Sequence, residues 1–310
     1  MKIQRLNIFL SFLSILICAN SFAQESGMNA DTSKYKPVVY PSDFTSSLNE
    51  VYTSVNGWEG KMDVYYKAQA NQPTPIIINI HGGGWKNGVK ESQGGFTTFF
   101  KEGMAIANIE YRMTPKATAP AAIEDARCAL IYLIKNAKKF NIDINKIVVM
   151  GGSAGGHLAL MTGLLANNHL FDSNCAGVEK IKVAAIIDKY GITDVWDWAY
   201  TDFGPAIKKS SSPRDWLGNK KNDEAFAKSV SPVSYLNKNN PPVLIIHGNA
   251  DSTVPYKQSQ DLYGKLTALG VKTELITVEG GGHGKFDKEK NTELNKSIIA
   301  FIKSIDVFKQ

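Results

Sequence analysis

The 310-residue sequence has few of the features that mark metal-binding or nucleic-acid-binding proteins. It contains only three cysteines, and neither a Cys-x-x-Cys pair nor a His-x-x-x-His pair occurs. Lysine and arginine number 35 against 29 acidic residues, yet no run of five basic residues is present. A metal site and a nucleic-acid partner are therefore not favoured. Hydrophobic residues at 43% and charged residues at 21% exclude intrinsic disorder.

No apolar segment reaches the roughly 20 residues that a membrane-spanning helix needs. The N-terminus instead has basic Lys2 and Arg5, an apolar core from Ile8 to Ala19, and small residues in Ser21-Phe22-Ala23. This layout predicts a signal peptide over residues 1–23 and an exported protein, periplasmic or extracellular, without stable membrane insertion.

The three cysteines bear on anchoring and on disulfide formation. Cys18 is preceded by Ile17, whereas lipid-modification signals have a small residue there, so lipoprotein anchoring is not favoured. Cys128 and Cys175 would remain in the mature chain and could pair in an oxidising compartment. The sequence leaves open whether these two cysteines are joined.

The mature chain divides into a polar lead-in, residues 24–45, and a domain over residues 46–310. Leu48–Ser54 and Lys61–Tyr66 alternate as an antiparallel edge pair would. Nearly continuous apolar runs, typical of strands buried on both faces of a parallel sheet, occur at 75–80, 104–109, 147–150, 183–187 and 243–246, and a further strand is predicted at 274–278. Helical periodicity lies between or after them, at 121–139, 156–165, 258–269 and 292–305. We predict an α/β fold with a mostly parallel, doubly wound sheet of about eight strands and helices on both faces.

The segment from about 191 to 241 interrupts this alternation. It is rich in aromatic residues among proline, glycine and serine, and contains Trp196, Trp198, Tyr200, Phe203 and Trp216. An irregular aromatic insertion predicts a small cap over the ligand-binding edge of the sheet. The alternative is a surface insertion that packs a small core of its own.

The residues Gly151 to Gly156 carry the first chemical signal. They read Gly-Gly-Ser-Ala-Gly-Gly and lie directly between a predicted strand and a predicted helix. This is the G-x-S-x-G nucleophile elbow in the context it requires, in which the serine occupies a strained turn and its neighbours must lack side chains. Ser153 is the predicted nucleophile; a generic glycine turn before a helix is the alternative interpretation.

A second glycine cluster, His81-Gly82-Gly83-Gly84-Trp85, follows another predicted parallel strand. It matches the HGGG-type loop that supplies backbone N–H groups to an oxyanion. The amides of Gly83, Gly84 and Ala154 are the predicted oxyanion hole, and His81 is expected to hold the loop by hydrogen bonds. The predicted walls of the substrate pocket are Trp85, Tyr190, Trp196 and Trp198.

An elbow serine requires a base and an orienting carboxylate, in the chain order serine, acid, histidine. Asp251 follows the predicted strand at 243–246, and His283 lies in a glycine-rich loop after the strand at 274–278. We predict that Asp251 orients His283 and that His283 is the general base. Glu279 is the alternative acid. The other histidines are expected to have packing, solvated or structural hydrogen-bonding roles: His157, His169 and His247.

With these motifs in place, the sequence resembles the α/β-hydrolase superfamily over about residues 48–308. Within it, the HGGGW loop and the Gly-x-Ser-Ala-Gly-Gly-His elbow resemble those of secreted bacterial esterases. The resemblance implies hydrolysis of carboxylic esters without a metal or organic cofactor. Members of the group resemble acetyl-xylan, feruloyl and general acetyl esterases, so the implied partner is a small-molecule or oligosaccharide ester.

The resulting hypothesis is an exported serine carboxylesterase that acts on short-chain or aromatic acyl esters, with polysaccharide fragments as the expected alcohol. A serine peptidase of the prolyl-oligopeptidase type and a catalytically silent binding protein are the alternatives on the same fold. The acyl group, the alcohol and the oligomeric state do not follow from the motifs.

Overall fold

The computed structural model describes residues 32–175, 177–178, 180–305 and 307. The predicted signal peptide, Cys18 and the start of the predicted lead-in lie outside the described residues. In the part described, eight strands form one sheet. They are β1 (Thr45–Val55), β2 (Trp58–Tyr66), β3 (Thr74–Ile80), β4 (Ala105–Ile109), β5 (Ile142–Gly152), β6 (Ala185–Lys189), β7 (Val243–Gly248) and β8 (Thr273–Val278).

The strand order across the sheet is β1-β2-β4-β3-β5-β6-β7-β8. Strands β1 and β2 pair antiparallel, as do β2 and β4, and every other neighbouring pair is parallel. The predicted mostly parallel sheet of about eight strands is confirmed. All the parallel strands end at one edge, so the loops after β3, β5, β7 and β8 meet there.

Helices cover both faces of this sheet. Those within the described residues are α1 (Thr97–Lys101), α2 (Ala121–Lys135), α3 (Ala137–Phe140), α4 (Ala154–Leu165), α5 (Val195–Tyr200), α6 (Ser212–Leu217), α7 (Glu224–Ser229), α8 (Tyr256–Ala268) and α9 (Lys288–Ser304). One apolar core lies between the sheet and α2, α4 and α8, and a second lies between the sheet and α1 and α9. The helix expected over 121–139 is interrupted at Asn136, whose backbone, with φ −105° and ψ 18°, leaves the helical conformation, and whose side chain donates to the carbonyl of Tyr132.

The insertion between β6 and β7 holds α5, α6 and α7. It does not pack a separate core, because Trp198, Trp216 and Leu217 belong to the same buried cluster as the sheet. Lys208 donates its backbone N–H to the carbonyl of Ser252 over 2.7 Å, which ties the insertion to the loop after β7. The insertion therefore contacts the edge where the parallel strands end.

A disulfide joins Cys128 of α2 to Cys175, which answers the question that the sequence left open. Beside it, the buried guanidinium of Arg127 pairs with Asp172 over 2.7 Å. The covalent bond and the ion pair attach α2 to the segment that follows α4. None of the helices in the described ranges is long and apolar enough to cross a bilayer.

Candidate active site

Ser153 lies on the sharp turn between the end of β5 and the start of α4. Its φ of 57° and ψ of −124° are strained for a residue with a side chain. The backbone N–H of Ser153 donates to the carbonyl of Lys189 over 2.9 Å, which ties the turn to β6. A Cβ atom on Gly155 would lie 2.1 Å from the carbonyl oxygen of Ile80, and one on Gly151 would lie 2.2 Å from that of Gly155. The flanking glycines are therefore a steric requirement of the turn.

Ser153, His283 and Asp251 form one hydrogen-bonded chain. The hydroxyl of Ser153 lies 2.8 Å from Nε2 of His283, and Nδ1 of the same ring lies 2.6 Å from Oδ2 of Asp251. The three residues come from the loops after β5, β8 and β7. The structure thus brings together the three residues that the sequence proposed as nucleophile, base and acid, in the geometry that proton transfer requires.

Asp251 is buried among hydrogen-bond donors. Its Oδ1 atom accepts from the amides of Thr253 at 2.7 Å and Val254 at 3.0 Å. Burial opposes ionisation of this carboxyl, but hydrogen bonds from His247 and His283, the charge of His283 and the Thr253 amide outweigh burial and hold the pKa of Asp251 well below its usual range. Asp251 is therefore a carboxylate at neutral pH. Glu279, the alternative acid, instead accepts a hydrogen bond from the side-chain amide of Asn249.

His247 is a second histidine on the same carboxylate. Its Nε2 atom lies 3.1 Å from Oδ2 of Asp251 and 3.1 Å from the carbonyl oxygen of Val254, while Nδ1 lies 2.6 Å from the hydroxyl of Ser259. Because Nε2 faces two acceptors, we assign the proton to Nε2. The sequence predicted a structural hydrogen bond for His247 but not its partner. Its position at the end of β7, four residues before Asp251, was the available signal.

The glycine loop after β3 lies beside the elbow. A Cβ atom on Gly82 would come within 3.4 Å of Cβ of Ser153. Gly83 has a φ of 109°, and a Cβ there would lie 1.9 Å from the carbonyl oxygen of Asn87, so only glycine fits. In the described structure, the amides of Gly83 and Gly84 donate to no backbone acceptor, and Ala154 is the first residue of α4, where N–H groups have no partner within the helix. These are the three amides that the sequence proposed as an oxyanion hole.

Tyr190 packs directly on the proposed base. Its ring centroid lies 5.0 Å from that of His283, and its hydroxyl would lie 2.4 Å from a Cβ placed on Gly284. Burial, followed by the charges of Asp251 and Asp188, raises the pKa of Tyr190 to about 12, so its hydroxyl stays protonated at neutral pH. The sequence proposed Tyr190 as a wall of the substrate pocket, and that role stays a prediction; the structure places its ring against His283.

Two ionisable residues precede Tyr190 on β6. Asp188 is fully buried behind the elbow; its Oδ1 accepts from the Gly191 amide at 3.0 Å, and its Oδ2 has no hydrogen-bond partner among the described residues. Burial raises its pKa to about 7, against the smaller opposing effect of the Gly191 amide. Burial also lowers the pKa of Lys189 to about 8. No local sequence pattern predicts a buried carboxyl at this position.

The three tryptophans proposed as pocket walls have different surroundings in the structure. Trp85 is fully buried and stacks on Trp216 with ring centroids 4.3 Å apart, so the expectation that it lines an open pocket is wrong. Trp198 lines a cavity in the insertion and donates its indole N–H to the carbonyl of Thr253 over 3.0 Å. Trp196 packs on Tyr200, with centroids 4.2 Å apart, and is absent from the residues lining that cavity.

The remaining histidines have structural partners. His81 is buried, hydrogen-bonded to the carbonyl of Gly82 at 2.8 Å and stacked on Tyr111. His157 is buried edge-on against the stacked rings of Trp85 and Trp216, and its Nε2 lies 2.8 Å from the carbonyl oxygen of Val230. Burial lowers the pKa of both rings to about 4, so each is neutral at physiological pH.

His169, the fifth histidine, lies 2.7 Å from a carboxylate oxygen of Asp172 at a half-exposed position rather than being solvated alone. Within the part of the chain described, no group of three or more histidine, cysteine or acidic residues is placed to hold a metal ion.

The sheet order, the elbow and the glycine loop define an α/β-hydrolase. The chain belongs to the BD-FAE family, whose model matches residues 62–266. Among curated proteins, it is 29% identical over 227 residues to the esterase LipC of Mycobacterium tuberculosis, covering 70% of this chain and 55% of LipC. It is 30% identical over 229 residues to the AB hydrolase superfamily protein C1039.03 of Schizosaccharomyces pombe, covering 67% of this chain and 62% of that protein. The chain spans about half the length of LipC and of the other Mycobacterium tuberculosis esterases that it matches.

Solved structures agree with this family assignment. A truncated form of a carbohydrate esterase from gut microbiota superimposes with a TM-score of 0.71 at 28% identity, covering 85% of this chain and 99% of that one. An acetyl ester-xyloside bifunctional hydrolase from Caldicellulosiruptor lactoaceticus gives a TM-score of 0.69 at 26% identity, covering 81% of this chain and 90% of that one. The relatives by sequence and by structure are thus largely esterases.

Proposed function

We propose that the protein is an exported serine carboxylesterase that hydrolyses short-chain or aromatic acyl esters on polysaccharide-derived substrates. The observation that carries this proposal is the continuous hydrogen-bonded chain from the Ser153 hydroxyl through His283 to Asp251. The esterases among the relatives support the same reaction class.

The reaction begins when the Ser153 oxygen attacks the ester carbonyl carbon. Nε2 of His283 takes the serine proton, and the ionised Asp251 stabilises the resulting imidazolium through Nδ1. The carbonyl oxygen becomes an oxyanion, which accepts hydrogen bonds from the amides of Gly83, Gly84 and Ala154. Each preorganised donor of this kind contributes roughly 3 kcal/mol to lowering the barrier.

Collapse of this intermediate expels the alcohol, which takes the proton from His283, and leaves an acyl group on Ser153. Water then attacks the acyl carbon while His283 takes one of its protons. Release of the acid returns the proton to the Ser153 oxygen, so the protein is unchanged after one turnover. No step requires a metal or an organic cofactor.

The exported location and the carbohydrate substrate have separate supports. The disulfide between Cys128 and Cys175 is typical of an oxidising compartment, in agreement with the predicted leader at residues 1–23. The structural relatives include a carbohydrate esterase and an acetyl ester-xyloside hydrolase, which favours a sugar-linked ester here as well. If the leader is cleaved as proposed, N-terminal sequencing of the exported protein will begin at about residue 24.

The proposed esterase activity is tested by measuring initial hydrolysis rates on acetylated xylo-oligosaccharide, methyl ferulate, p-nitrophenyl acetate and p-nitrophenyl decanoate. The same measurements are made on Ser153→Ala, for which we expect kcat to fall at least about 10⁴-fold. The preferred ester identifies the acyl group. Hydrolysis of the decanoate with no action on sugar acetates contradicts the substrate assignment, and absence of turnover on every ester contradicts the esterase assignment.

A further inference from the structure

The insertion that adjoins the proposed active site is strongly basic over one stretch. Residues 203–222 contain five lysines and arginines and a single acidic residue, Asp215. Three of these cations line one cavity, together with the rings of three aromatic residues: Lys208, Lys209, Arg214, Trp198, Tyr200 and Phe203. A cavity that combines cations with aromatic surface is suited to a ligand that has both a negative charge and an apolar face.

In the part of the chain that the structure describes, the three cations have no protein counterion. Within the described residues, no carboxylate lies within 4.0 Å of the charged groups of Lys208, Lys209 or Arg214. Asp215 is paired instead with Lys86 at 3.7 Å, and Asp202 is the one carboxylate among the described residues that line the cavity. The cavity therefore has an excess of positive charge that the fold leaves available to a ligand.

The wall of this cavity is attached to the loops of the triad and of the proposed oxyanion hole. Trp198 donates to the carbonyl of Thr253, and Lys208 donates to that of Ser252, both just after Asp251. Ser212 packs on Gly84, with its hydroxyl 2.8 Å from where a Cβ of Gly84 would be. Since four residues span at most about 14 Å, the stretch from Lys208 to Ser212 bridges the two loops at close range.

We propose that this cavity is a subsite for an anionic sugar residue of the ester substrate, one bearing a carboxylate or a sulfate. Lys208, Lys209 and Arg214 bind the negative group, and the rings of Tyr200 and Phe203 contact the apolar face of the sugar. This proposal rests on the proposed function for the position of the ester. The binding itself does not depend on turnover and is tested separately.

The first experiment measures binding to Ser153→Ala by isothermal titration calorimetry, so that no ligand is consumed. Three ligands of equal length are compared: neutral xylotriose, the same oligosaccharide bearing glucuronic acid, and a sulfated xylotriose. We expect at least one acidic ligand to bind about tenfold more tightly than the neutral one, with the advantage decreasing at high salt. The better of the two acidic ligands identifies the anionic group. Equal affinity for all three, or no binding, overturns the proposal.

The second experiment removes the cations. The triple variant Lys208→Gln, Lys209→Gln, Arg214→Gln is compared with a control of equal charge loss outside the cavity: Lys220→Gln, Lys288→Gln, Lys296→Gln. In the Ser153→Ala background, we expect the first triple to lose the tenfold preference and the control to keep it. Retention in both, or loss in both, overturns the assignment to this cavity.

Two further readouts separate this proposal from its alternatives. In the Ser153→Ala background, both triple variants should have the circular dichroism spectrum and the thermal unfolding midpoint of Ser153→Ala itself, which shows that the fold is intact. If the unmodified protein cleaves no ester while the acidic sugar still binds, the proposed function fails and the subsite stands. If a short oligonucleotide binds more tightly than either acidic sugar and only the cavity triple abolishes that binding, the sugar assignment is overturned.

Discussion

His247 and His283 contact the same oxygen of Asp251, Oδ2, at 3.1 and 2.6 Å. His247 contributes no group to Ser153 and is fully buried, so it is a positioning residue that holds the carboxylate in the orientation the base requires. Ser259 and Val254 in turn hold the ring of His247.

For His247→Leu, whose side chain has no donor to replace Nε2, we expect kcat to fall about tenfold with KM unchanged, the effect of losing one hydrogen bond of about 1.5 kcal/mol to a charged group remote from the substrate. Steady-state kinetics on p-nitrophenyl acetate provide the measurement. His169→Leu is the matched control, because His169 is half-exposed and pairs with Asp172 away from Asp251. A rise in KM without a change in kcat would show that His247 contacts the substrate instead.

Acid unfolding supplies a second readout for the same variant. The pKa of Asp251 is lowered in the folded protein, partly by His247, so the carboxylate stabilises the fold above its unfolded pKa of about 4 and this contribution is lost as the pH falls. Removing the His247 donor raises that pKa. His247→Leu should therefore unfold at a higher pH than the unmodified protein in an acid titration followed by circular dichroism.

The sequence predicted the arrangement of strands and the convergence of distant residues more fully than it predicted the surroundings of the site. His283 is 130 residues from Ser153 and 32 from Asp251, yet each follows a strand with a parallel-type pattern, and such strands end at one edge of the sheet. Periodicity and glycine placement carry that information. Periodicity and glycine placement indicate where the backbone forms strands, helices and tight turns, but they do not indicate which side chains contact each other.

The features of the site and its surroundings that the sequence did not predict all depend on contacts between remote segments. Trp85 was expected at a pocket wall, but Trp216 of the insertion stacks on it and completes its burial. The pairing of Cys128 with Cys175 depends on how the segment after α4 folds back on α2. The carboxyl of Asp188 is buried because Gly156 and Gly191 leave room beside it. None of these contacts has a local sequence pattern.

Gly155→Ala should destabilise the protein by more than about 3 kcal/mol and abolish ester hydrolysis. The new Cβ would lie 2.1 Å from the carbonyl oxygen of Ile80 and 2.6 Å from that of His81, and neither backbone atom can move without displacing the glycine loop. Gly94→Ala is the control, since a Cβ there has no neighbour within 4 Å. Thermal unfolding and p-nitrophenyl acetate turnover measure both effects; unchanged stability in Gly155→Ala contradicts the steric argument.

The unfolding free energy of Asp188→Asn should increase relative to that of the unmodified protein as the pH rises. The folded pKa of Asp188 is about 7, above its unfolded value of about 4, so between these values the folded protein retains a proton that the unfolded chain releases. Stability therefore falls with rising pH across that range, by up to about 4 kcal/mol, and asparagine removes this dependence. Urea unfolding of both proteins at about pH 4.5 and 8.5 tests it. A difference in unfolding free energy that is constant with pH contradicts it.

The double variant Cys128→Ala, Cys175→Ala should lose about 2 to 4 kcal/mol of unfolding free energy, because the disulfide closes a loop over a sequence separation of 47 residues. Urea unfolding with and without a reducing agent measures this loss. Reduction should lower the stability of the unmodified protein to that of the variant and leave the variant unchanged. Kinetics on p-nitrophenyl acetate should be unaffected, since neither cysteine contacts Ser153, Asp251 or His283. Two thiols that react with a thiol reagent in the native, unreduced protein would contradict the disulfide, and with it the support that it gives to export.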